Sequence, residues 1–129
     1  IETSIVEYVH GVQSMTFLAA FNGESPVGFV ALKQHNRYTF EVYVIGVLKD
    51  HHRHGIGRRL IKGCESLCVE ANAEFLTVKT LDASRESSDY AQTREFYFNL
   101  GFRPLEVFPL LWGRNNPCLF LAKALRISV

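Results

Sequence analysis

The stretch His52-Arg53-His54-Gly55-Ile56-Gly57-Arg58-Arg59-Leu60 lies between a segment of strand character and the first turn of a predicted helix. At a helix start several backbone N–H groups lack partners and the helix dipole is positive, so an anion bound there receives hydrogen bonds that the helix itself leaves unused. Glycines let the backbone approach a phosphate closely and adopt nest-like angles. The arginines add positive charge. The stretch therefore indicates an anion-binding turn.

Two glycines in such a turn also have a simpler interpretation, a strand-to-helix connection with a solvated basic rim. Two other phosphate-binding motifs are excluded by spacing. No third glycine follows Gly57 at the interval of the dinucleotide-binding fold, and the Gly-Lys-Ser/Thr of a P-loop is absent from the sequence. The turn by itself leaves the anion site and the plain connection as alternatives.

Outward from this turn, the hydrophobic pattern divides the chain into short segments. Residues from Gly57 to Asn72 have a one-sided helical pattern, and Tyr90 to Leu100 predicts a second helix stopped by Gly101. Thr3 to His10 is interpreted as the end of a helix. Strands are predicted at Met15 to Phe21, Pro26 to Lys33, Tyr38 to Leu48, Phe75 to Leu81, Arg103 to Phe108 and Cys118 to Ala124. This order predicts an α/β (mixed α+β) fold with helices on the faces of a mixed sheet.

The bulk properties limit the classes of protein. A chain of 129 residues with 47% hydrophobic side chains predicts one domain, 1–129. Its formal net charge of +1 argues against nucleic acid or an anionic membrane as a partner. The cysteines Cys64, Cys68 and Cys118 lack the spacing of a disulfide scaffold and favour a reducing, cytoplasmic setting. Neither a membrane helix of roughly 18 apolar residues nor a signal peptide is predicted.

Two motifs in this order resemble those of the GNAT superfamily of acyl-CoA N-acetyltransferases. The family's cofactor motif is Gln/Arg-x-x-Gly-x-Gly/Ala at a helix start; the two glycines match it, while His52 stands where Gln or Arg is usual. The family's aromatic-Tyr-three residues-Gly-Phe string is matched by Phe96-Tyr97-Phe98-Asn99-Leu100-Gly101-Phe102. The resemblance covers roughly Thr16 to Leu125. It implies a mostly antiparallel sheet with a central, splayed parallel strand pair, and a first strand and first helix that are absent from this chain.

The resemblance also implies a cosubstrate, acetyl-CoA, and the residues that hold it. Its pyrophosphate would lie on the glycine turn, and its pantetheine arm would pair with the backbone near Ile45 to Val47, as one more strand would. Tyr90 stands where the family often has an Asn near the cofactor. The predicted cofactor-binding residues are Ile45, Val47, His52, Arg53, His54, Gly55, Ile56, Gly57, Arg58 and Tyr90.

Direct acetyl transfer to an amine needs a neutral amine, a stabilised oxyanion and a proton for the departing thiolate. The resemblance places Tyr97 near the sulfur as proton donor; the alternative is an aromatic residue that only packs. Glu41 is fourteen residues before Gly55, where some family members carry a general base, although a solvated glutamate with water as the base remains an alternative. His35, His51, His52 and His54 lack carboxylate partners and facing geometry, so no metal is predicted.

The acceptor is expected at loop residues. Glu41 and the segments Asp82 to Asp89 and Pro109 to Pro117 are predicted to line its entrance, with Arg85, Glu86, Asp89 and Trp112 as bordering side chains. The cysteines are expected to be inert. The predicted function is transfer of acetyl from acetyl-CoA to a primary amine of a small molecule or peptide, in a chain compatible with a homodimer. The alternative is a non-catalytic acyl-CoA-binding regulatory module.

Overall fold

The computed structural model describes residues 3–10 and 15–125, which form seven strands and two α-helices. The strands are β1 (Thr3–His10), β2 (Met15–Asn22), β3 (Ser25–Gln34), β4 (Thr39–Val47), β5 (Phe75–Leu81), β6 (Arg103–Phe108) and β7 (Cys118–Ala124). The helices are α1 (Ile56–Glu70) and α2 (Ser88–Asn99), and a 3₁₀ turn, Lys49–His51, follows β4.

The strand order is β1-β2-β3-β4-β5-β7-β6 in one sheet, with β4 and β5 as the parallel pair among the described strands. Neighbours from β1 to β4, and β6 with β7, are antiparallel. The predicted mixed, mostly antiparallel sheet is thereby confirmed. The chain packs as two compact units, Ile1–Leu76 with Leu125–Val129, and Thr77–Ala124.

In the first unit, β1 to β4 form a meander and α1 packs against β2, β3 and β4. The helix buries one apolar stripe, as the sequence pattern predicted, and leaves its charged face in solvent. The buried residues of α1 are Ile56, Leu60, Ile61, Cys64 and Cys68. Because this stripe runs from the first helical residue onward, the N-terminal end of α1 is fixed by core packing.

One prediction for this unit is wrong. Thr3–His10, interpreted from the sequence as the end of a helix, is a strand whose register with β2 runs from Thr3↔Asn22 to His10↔Met15. Its β-branched residues suit a strand, and the backbone pairing with β2 decides between two conformations that the short segment leaves open. A strand thus precedes Thr16, where the resemblance implied that a leading strand was absent.

β4 carries an irregularity close to the predicted cofactor segment. Ala31 of β3 pairs with Val44, whereas the next residue, Leu32, pairs with Val42, so Tyr43 is an extra residue in β4. A bulge of this kind bends its strand and increases the local twist, and bulges are frequent next to active sites. The segment after the bulge, Ile45 to Val47, is therefore directed differently from the first half of β4.

The second unit contains the hairpin of β6 and β7, with register from Arg103↔Ala122 to Phe108↔Cys118, and the helix α2. The connection after β5 is tied to the connection before β7 by a backbone hydrogen bond from Asp82 N to Pro117 O of 2.9 Å. The two loops that were predicted to border the acceptor are therefore neighbours within this unit.

Candidate functional site

The glycine turn follows the 3₁₀ turn after β4 and leads directly into α1. Gly55 is the N-cap residue of α1 with φ of 76°, and Arg53 has φ of 66°. A non-glycine residue in this left-handed region costs about 1–3 kcal/mol, and such residues concentrate at functional sites. Alternating left-handed residues turn successive backbone N–H groups toward one side, which forms an anion-binding concavity.

The N-terminus of α1 lacks the groups that usually satisfy a helix start. Its N-cap makes no side-chain hydrogen bond, and its first turn contains no acidic residue. Arg53, Arg58 and Arg59 are exposed around it. A Cβ placed on Gly55 would meet no atom within 4 Å, so the space in front of the turn is open. Backbone donors, a positive helix end and cations thus surround a free volume that suits a phosphate group.

His52, which departs from the family motif, contacts the protein backbone. Its Nε2 lies 2.8 Å from the carbonyl oxygen of Val47. A carbonyl oxygen only accepts, so the imidazole N–H donates this hydrogen bond. The ring closes the turn onto the end of β4, and one of the Val47 groups predicted to pair with the pantetheine arm is engaged within the chain. Ile45 and Val47 are half-buried and pair with Val30 and Gly28 of β3.

Glu41, the predicted general base, is buried. Its carboxylate oxygen Oε1 lies 2.6 Å from Nε2 of His35, and the exposed fractions of the two side chains are 5% and 38% respectively. The structure therefore pairs Glu41 with a histidine that the sequence analysis considered only as a metal ligand. No spacing rule relates these two residues, because the hairpin between β3 and β4 creates the contact.

A cavity of about 270 Å³ lies in the second unit, at the loops predicted for the acceptor. Tyr90 and Trp112 contribute two partly exposed aromatic rings to it. Arg85 donates hydrogen bonds to the Asn116 side chain and, at 3.4 Å, to the Asn115 carbonyl oxygen. The lining residues are Leu81, Arg85, Ser87, Tyr90, Trp112 and Asn116.

This cavity unites some of the predicted acceptor residues and omits others. Arg85 and Trp112 line it, whereas Glu86 and Asp89 are exposed and do not, and Glu41 belongs to the first unit. Ser87 and Asn116 lie within the predicted segments, but the sequence analysis did not single them out. The serine precedes a helix and could have been recognised as an N-cap; Asn116 carries no such signal.

The first loop of the cavity is ordered by an aspartate. The Oδ2 of Asp82 accepts a hydrogen bond of 3.0 Å from the backbone N–H of Ser84, and α2 begins at Ser88 rather than after Asp89. Hydrogen bonding with Ser84 lowers the pKa of the Asp82 carboxyl, against a smaller opposing effect of burial. The folded loop therefore stabilises the ionised form of the Asp82 carboxylate.

Tyr97 lies in the C-terminal part of α2 and is 3% exposed. The helix ends in a Schellman motif. The backbone N–H of Phe102 donates to the backbone carbonyl oxygen of Tyr97 at 3.1 Å, and that of Gly101 donates to the backbone carbonyl oxygen of Phe98 at 3.0 Å. Gly101 has φ of 98°, as this motif requires. The Tyr97 ring packs edge-on against Phe102, with 5.4 Å between centroids. The Tyr-three residues-Gly-Phe string thus also has a structural role, which holds the tyrosine ring in place.

The thiols have the properties of core residues. Cys64, Cys68 and Cys118 are free and buried. Burial raises the pKa of Cys64 to about 12, with Cys68 and Glu65 contributing, and burial followed by Glu65 raises the pKa of Cys68 to about 12. Both thiols are therefore neutral at physiological pH, and a neutral thiol is a poor nucleophile.

Residues 3–10 and 15–125 contain no group of three or more His, Cys, Asp and Glu side chains arranged to hold a metal ion. In the same part of the chain, neither helix combines the length and apolar character needed to cross a membrane.

Solved structures share this fold at low sequence identity. A GNAT family acetyltransferase from Elizabethkingia anophelis, crystallised with acetyl-CoA, superposes with a TM-score of 0.82 at 15% identity, over 95% of this chain and 98% of that one. The aminoglycoside 6'-N-acetyltransferase from Enterococcus faecium gives 0.74 at 21% identity, over 90% and 76%. Ard1 from Thermoplasma volcanium gives 0.76 at 20% identity, over 86% and 71%.

The sequence comparisons give a family but no individual relative. No curated protein sequence matches the chain. Residues 13–104 match the family model described as an acetyltransferase (GNAT) domain, which is more than half of the 129 residues. With the fold, the glycine turn and the Tyr97 string, this match confirms the resemblance, and the chain belongs to the GNAT acetyltransferase family.

Proposed function

We propose that the chain is a single-domain N-acetyltransferase that moves an acetyl group from acetyl-CoA directly to a primary amine of a small molecule or peptide. The observation that carries the proposal is the open, uncapped N-terminus of α1 behind Gly55. Solved structures of the same fold include the E. anophelis protein with acetyl-CoA bound and an aminoglycoside 6'-N-acetyltransferase complexed with coenzyme A.

The residues of the turn fit a pyrophosphate. Backbone N–H groups from Arg53 to Arg58 would donate to its oxygens, and the exposed guanidinium groups of Arg53 and Arg58 would neutralise its charge. His54 and Ile56 belong to the same backbone loop. The buried Ile56 side chain fixes the first helical residue, so these donors are oriented before a ligand arrives.

Acetyl-CoA supplies an activated acyl group, and the chain would supply positioning and proton transfer. A covalent enzyme intermediate is not required, which agrees with the buried, neutral thiols of Cys64 and Cys68. Tyr97 is proposed to donate a proton or hydrogen bond to the departing thiolate, because a phenol donates without first being charged. The packing against Phe96 and Phe102 limits its ring to a narrow range of orientations.

For the acceptor, we propose that Glu41 and the segments 82–89 and 109–117 line the entrance. Supporting this, Arg85 and Trp112 border one cavity in the second unit, together with Tyr90, the residue assigned to the cofactor. Aromatic rings bind the apolar or ring portion of a ligand, while Arg85 and Asn116 supply polar contacts. We further expect a cytoplasmic protein, from its free cysteines, and the homodimer stays a prediction.

A second candidate is a non-catalytic acyl-CoA-binding regulatory module. The observation that favours it is His52, which replaces the usual Gln or Arg and bonds the Val47 carbonyl instead of leaving that group for a ligand. Such a module would keep the anion site and lack turnover.

The experiment that tests the proposal measures binding first and turnover second. Thermal unfolding with acetyl-CoA should show a concentration-dependent rise in Tm, because a ligand that binds only the folded state stabilises it. A panel of amines and peptides is then assayed for thiol release, and products are examined by mass spectrometry for the gain of one acetyl group. Stabilisation without turnover on any acceptor would favour the module, and the absence of stabilisation would contradict both candidates.

A further inference from the structure

The pair formed by His35 and Glu41 joins a buried carboxylate to an exposed imidazole. The side chain of Glu41 is 5% exposed and that of His35 is 38% exposed, with 2.6 Å between Oε1 and Nε2. A carboxylate taken out of water is costly unless hydrogen bonds compensate it. His35 makes one such contact with the carboxylate and is itself exposed to solvent.

The contact selects the tautomer of the ring. An ionised carboxylate only accepts hydrogen bonds, so Nε2 of His35 carries the proton and donates it to Glu41. The lone pair is then on Nδ1, the nitrogen that does not face Glu41. An imidazole oriented by a carboxylate on one nitrogen and free to accept a proton on the other is the arrangement of a general base.

The turn that carries His35 is held by its backbone. His35 N donates to the Thr39 oxygen at 2.9 Å, and Tyr38 N donates to the Asn36 side chain at 2.8 Å. A catalytic group needs such support, because small errors in its position reduce the rate. Lys33, the cross-strand partner of Glu41, directs its ammonium group over the Tyr43 ring at 5.4 Å from the centroid.

The position along β4 also suits a role at the acyl end of the cofactor. Glu41 is six residues before Val47, the last residue of β4, a separation of about 20 Å along a strand. Diphosphate and thioester are at opposite ends of the pantetheine arm. With the diphosphate on the turn and the arm along β4, the thioester end points back toward Glu41 and His35.

We propose that His35 is the group that takes the proton from the acceptor amine, directly or through one water molecule, and that Glu41 is its positioning residue. The inference rests on the proposed function and names the base within it. The incoming ammonium loses one proton to Nδ1 of His35. The C–N bond forms, the C–S bond breaks, and the second proton of the nitrogen passes to the thiolate through the Tyr97 hydroxyl, the donor in the proposed function. His35 then releases its proton to solvent, which its exposure allows.

The first test replaces the ring. His35→Ala should lower kcat on a confirmed amine by about 10²–10⁴-fold, the usual contribution of a general base, with the KM for acetyl-CoA unchanged. Because the ring is partly exposed, its removal leaves space open to solvent, and added imidazole should restore part of the rate. Gln34→Ala, an exposed neighbour in the same turn, should retain the wild-type rate and show no response to imidazole.

The second test separates the roles of the two residues. Glu41→Gln should lower kcat less than His35→Ala, and the double variant should match His35→Ala, because Glu41 acts through the ring. An acceptor whose amine is already neutral at the assay pH should be less sensitive to both changes. His35→Asn, which keeps a polar side chain, serves as a second variant if His35→Ala unfolds at a lower temperature.

The outcomes distinguish failure of the proposed acetyltransferase function from failure of the assignment of His35 as its base. No turnover by the wild type on any amine would overturn the proposed function and this inference together. Wild-type turnover with an unimpaired, folded His35→Ala or His35→Asn protein would overturn the inference alone. The same holds if Glu41→Gln costs more than His35→Ala and imidazole has no effect, since Glu41 itself would then be the base.

Discussion

The N-termini of the two helices satisfy their backbone N–H groups in different ways. In α2 the hydroxyl of Ser87 accepts a hydrogen bond from Tyr90 N at 3.3 Å, and Asp89 is in the first turn. In α1 the N-cap is Gly55, without a side-chain bond, and the first turn contains arginine instead of an acid. The N-cap of α2 is therefore provided by the chain, whereas the open start of α1 is the proposed site of an external anion.

The two helices also differ in what holds them. Five residues of α1 are buried, from its first residue onward, whereas α2, which lies within the described range 15–125, buries Tyr97 alone. Core packing lets α1 omit a cap that would otherwise contribute about 1 kcal/mol. In α2, the Ser87 cap at the N-terminus and the Schellman motif at the C-terminus hold the helix and thereby position Tyr97. The two helices are thus held in different ways, α1 by core packing and α2 by the motifs at its two ends.

The largest expected effect comes from filling the open end of α1. Gly55→Val places a β-branched residue at φ of 76° and a side chain in the anion volume. We expect acetyl-CoA affinity to fall about 100-fold or more, roughly 2.7 kcal/mol, by calorimetry. Gly23→Val is the matched control, since Gly23 has φ of 63° and equally open surroundings. It should lose similar stability and keep the affinity; equal affinities for both variants would place the cofactor elsewhere.

The second effect concerns the C-terminal part of α2. Tyr97→Phe keeps the packed ring and removes the hydroxyl, so kcat should fall roughly 10²-fold, about 2.7 kcal/mol in the barrier, while acetyl-CoA affinity is retained. The free energy of unfolding should change by about 1 kcal/mol at most. Tyr38→Phe, which removes an exposed phenol, should leave kcat unaltered. A wild-type rate for Tyr97→Phe would restrict Tyr97 to packing.

An acidic residue in the first turn of α1, like Asp89 in α2, should raise the stability of the ligand-free protein and lower its affinity for acetyl-CoA. Arg58→Glu puts a carboxylate near the positive end of the helix, which should raise the free energy of unfolding of the ligand-free protein by about 0.3–1 kcal/mol. The same carboxylate repels a diphosphate, and acetyl-CoA affinity should fall about tenfold. Urea unfolding and calorimetry on one preparation measure both. A parallel loss of stability and affinity would argue against an unsatisfied helix start.

Removing the N-cap of α2 should lower the stability of the protein without lowering its affinity for acetyl-CoA. Ser87→Ala deletes the acceptor of the Tyr90 N–H and should lower the free energy of unfolding by about 1 kcal/mol. The acetyl-CoA affinity should remain close to wild type, because the diphosphate site is on the other helix. Unfolding curves with and without acetyl-CoA distinguish the two effects, and a large loss of affinity would show that both helix ends serve the cofactor.

The smallest expected effect on catalysis is that of the thiols. The folded-state pKa of Cys64 and Cys68, about 12, exceeds the ordinary value of 9.0. Stability from these neutral thiols is complete below pH 9 and is lost as the pH rises toward 12, since the unfolded chain ionises first. Urea unfolding at pH 8 and pH 10 should show this loss, reduced in Cys68→Ala. Turnover should persist in Cys118→Ser, and its disappearance from a folded variant would indicate covalent catalysis.

Local rules recovered most of the elements. The strands Arg103–Phe108 and Cys118–Ala124 were predicted with the observed bounds, because strand propensity and the turn residues between them are local properties. The one-sided pattern after Gly55 predicted α1, and the glycine turn was located because a helix start is fixed by neighbouring residues. Thr3–His10 was mistaken, because such a short segment depends on the strand with which it pairs.

The sequence by itself determined the elements after Thr3–His10, the position of the glycine turn at a helix start and, through two spaced motifs, the family. Those features depend on residues close together in the chain. Only the tertiary structure decided that Glu41 is buried against His35, that Trp112 and Arg85 share a cavity, and that His52 bonds the Val47 carbonyl. Hydrogen bonds and cavities join side chains through the hairpins and loops between them, and side-chain direction within those connections is set by packing, which no local pattern encodes.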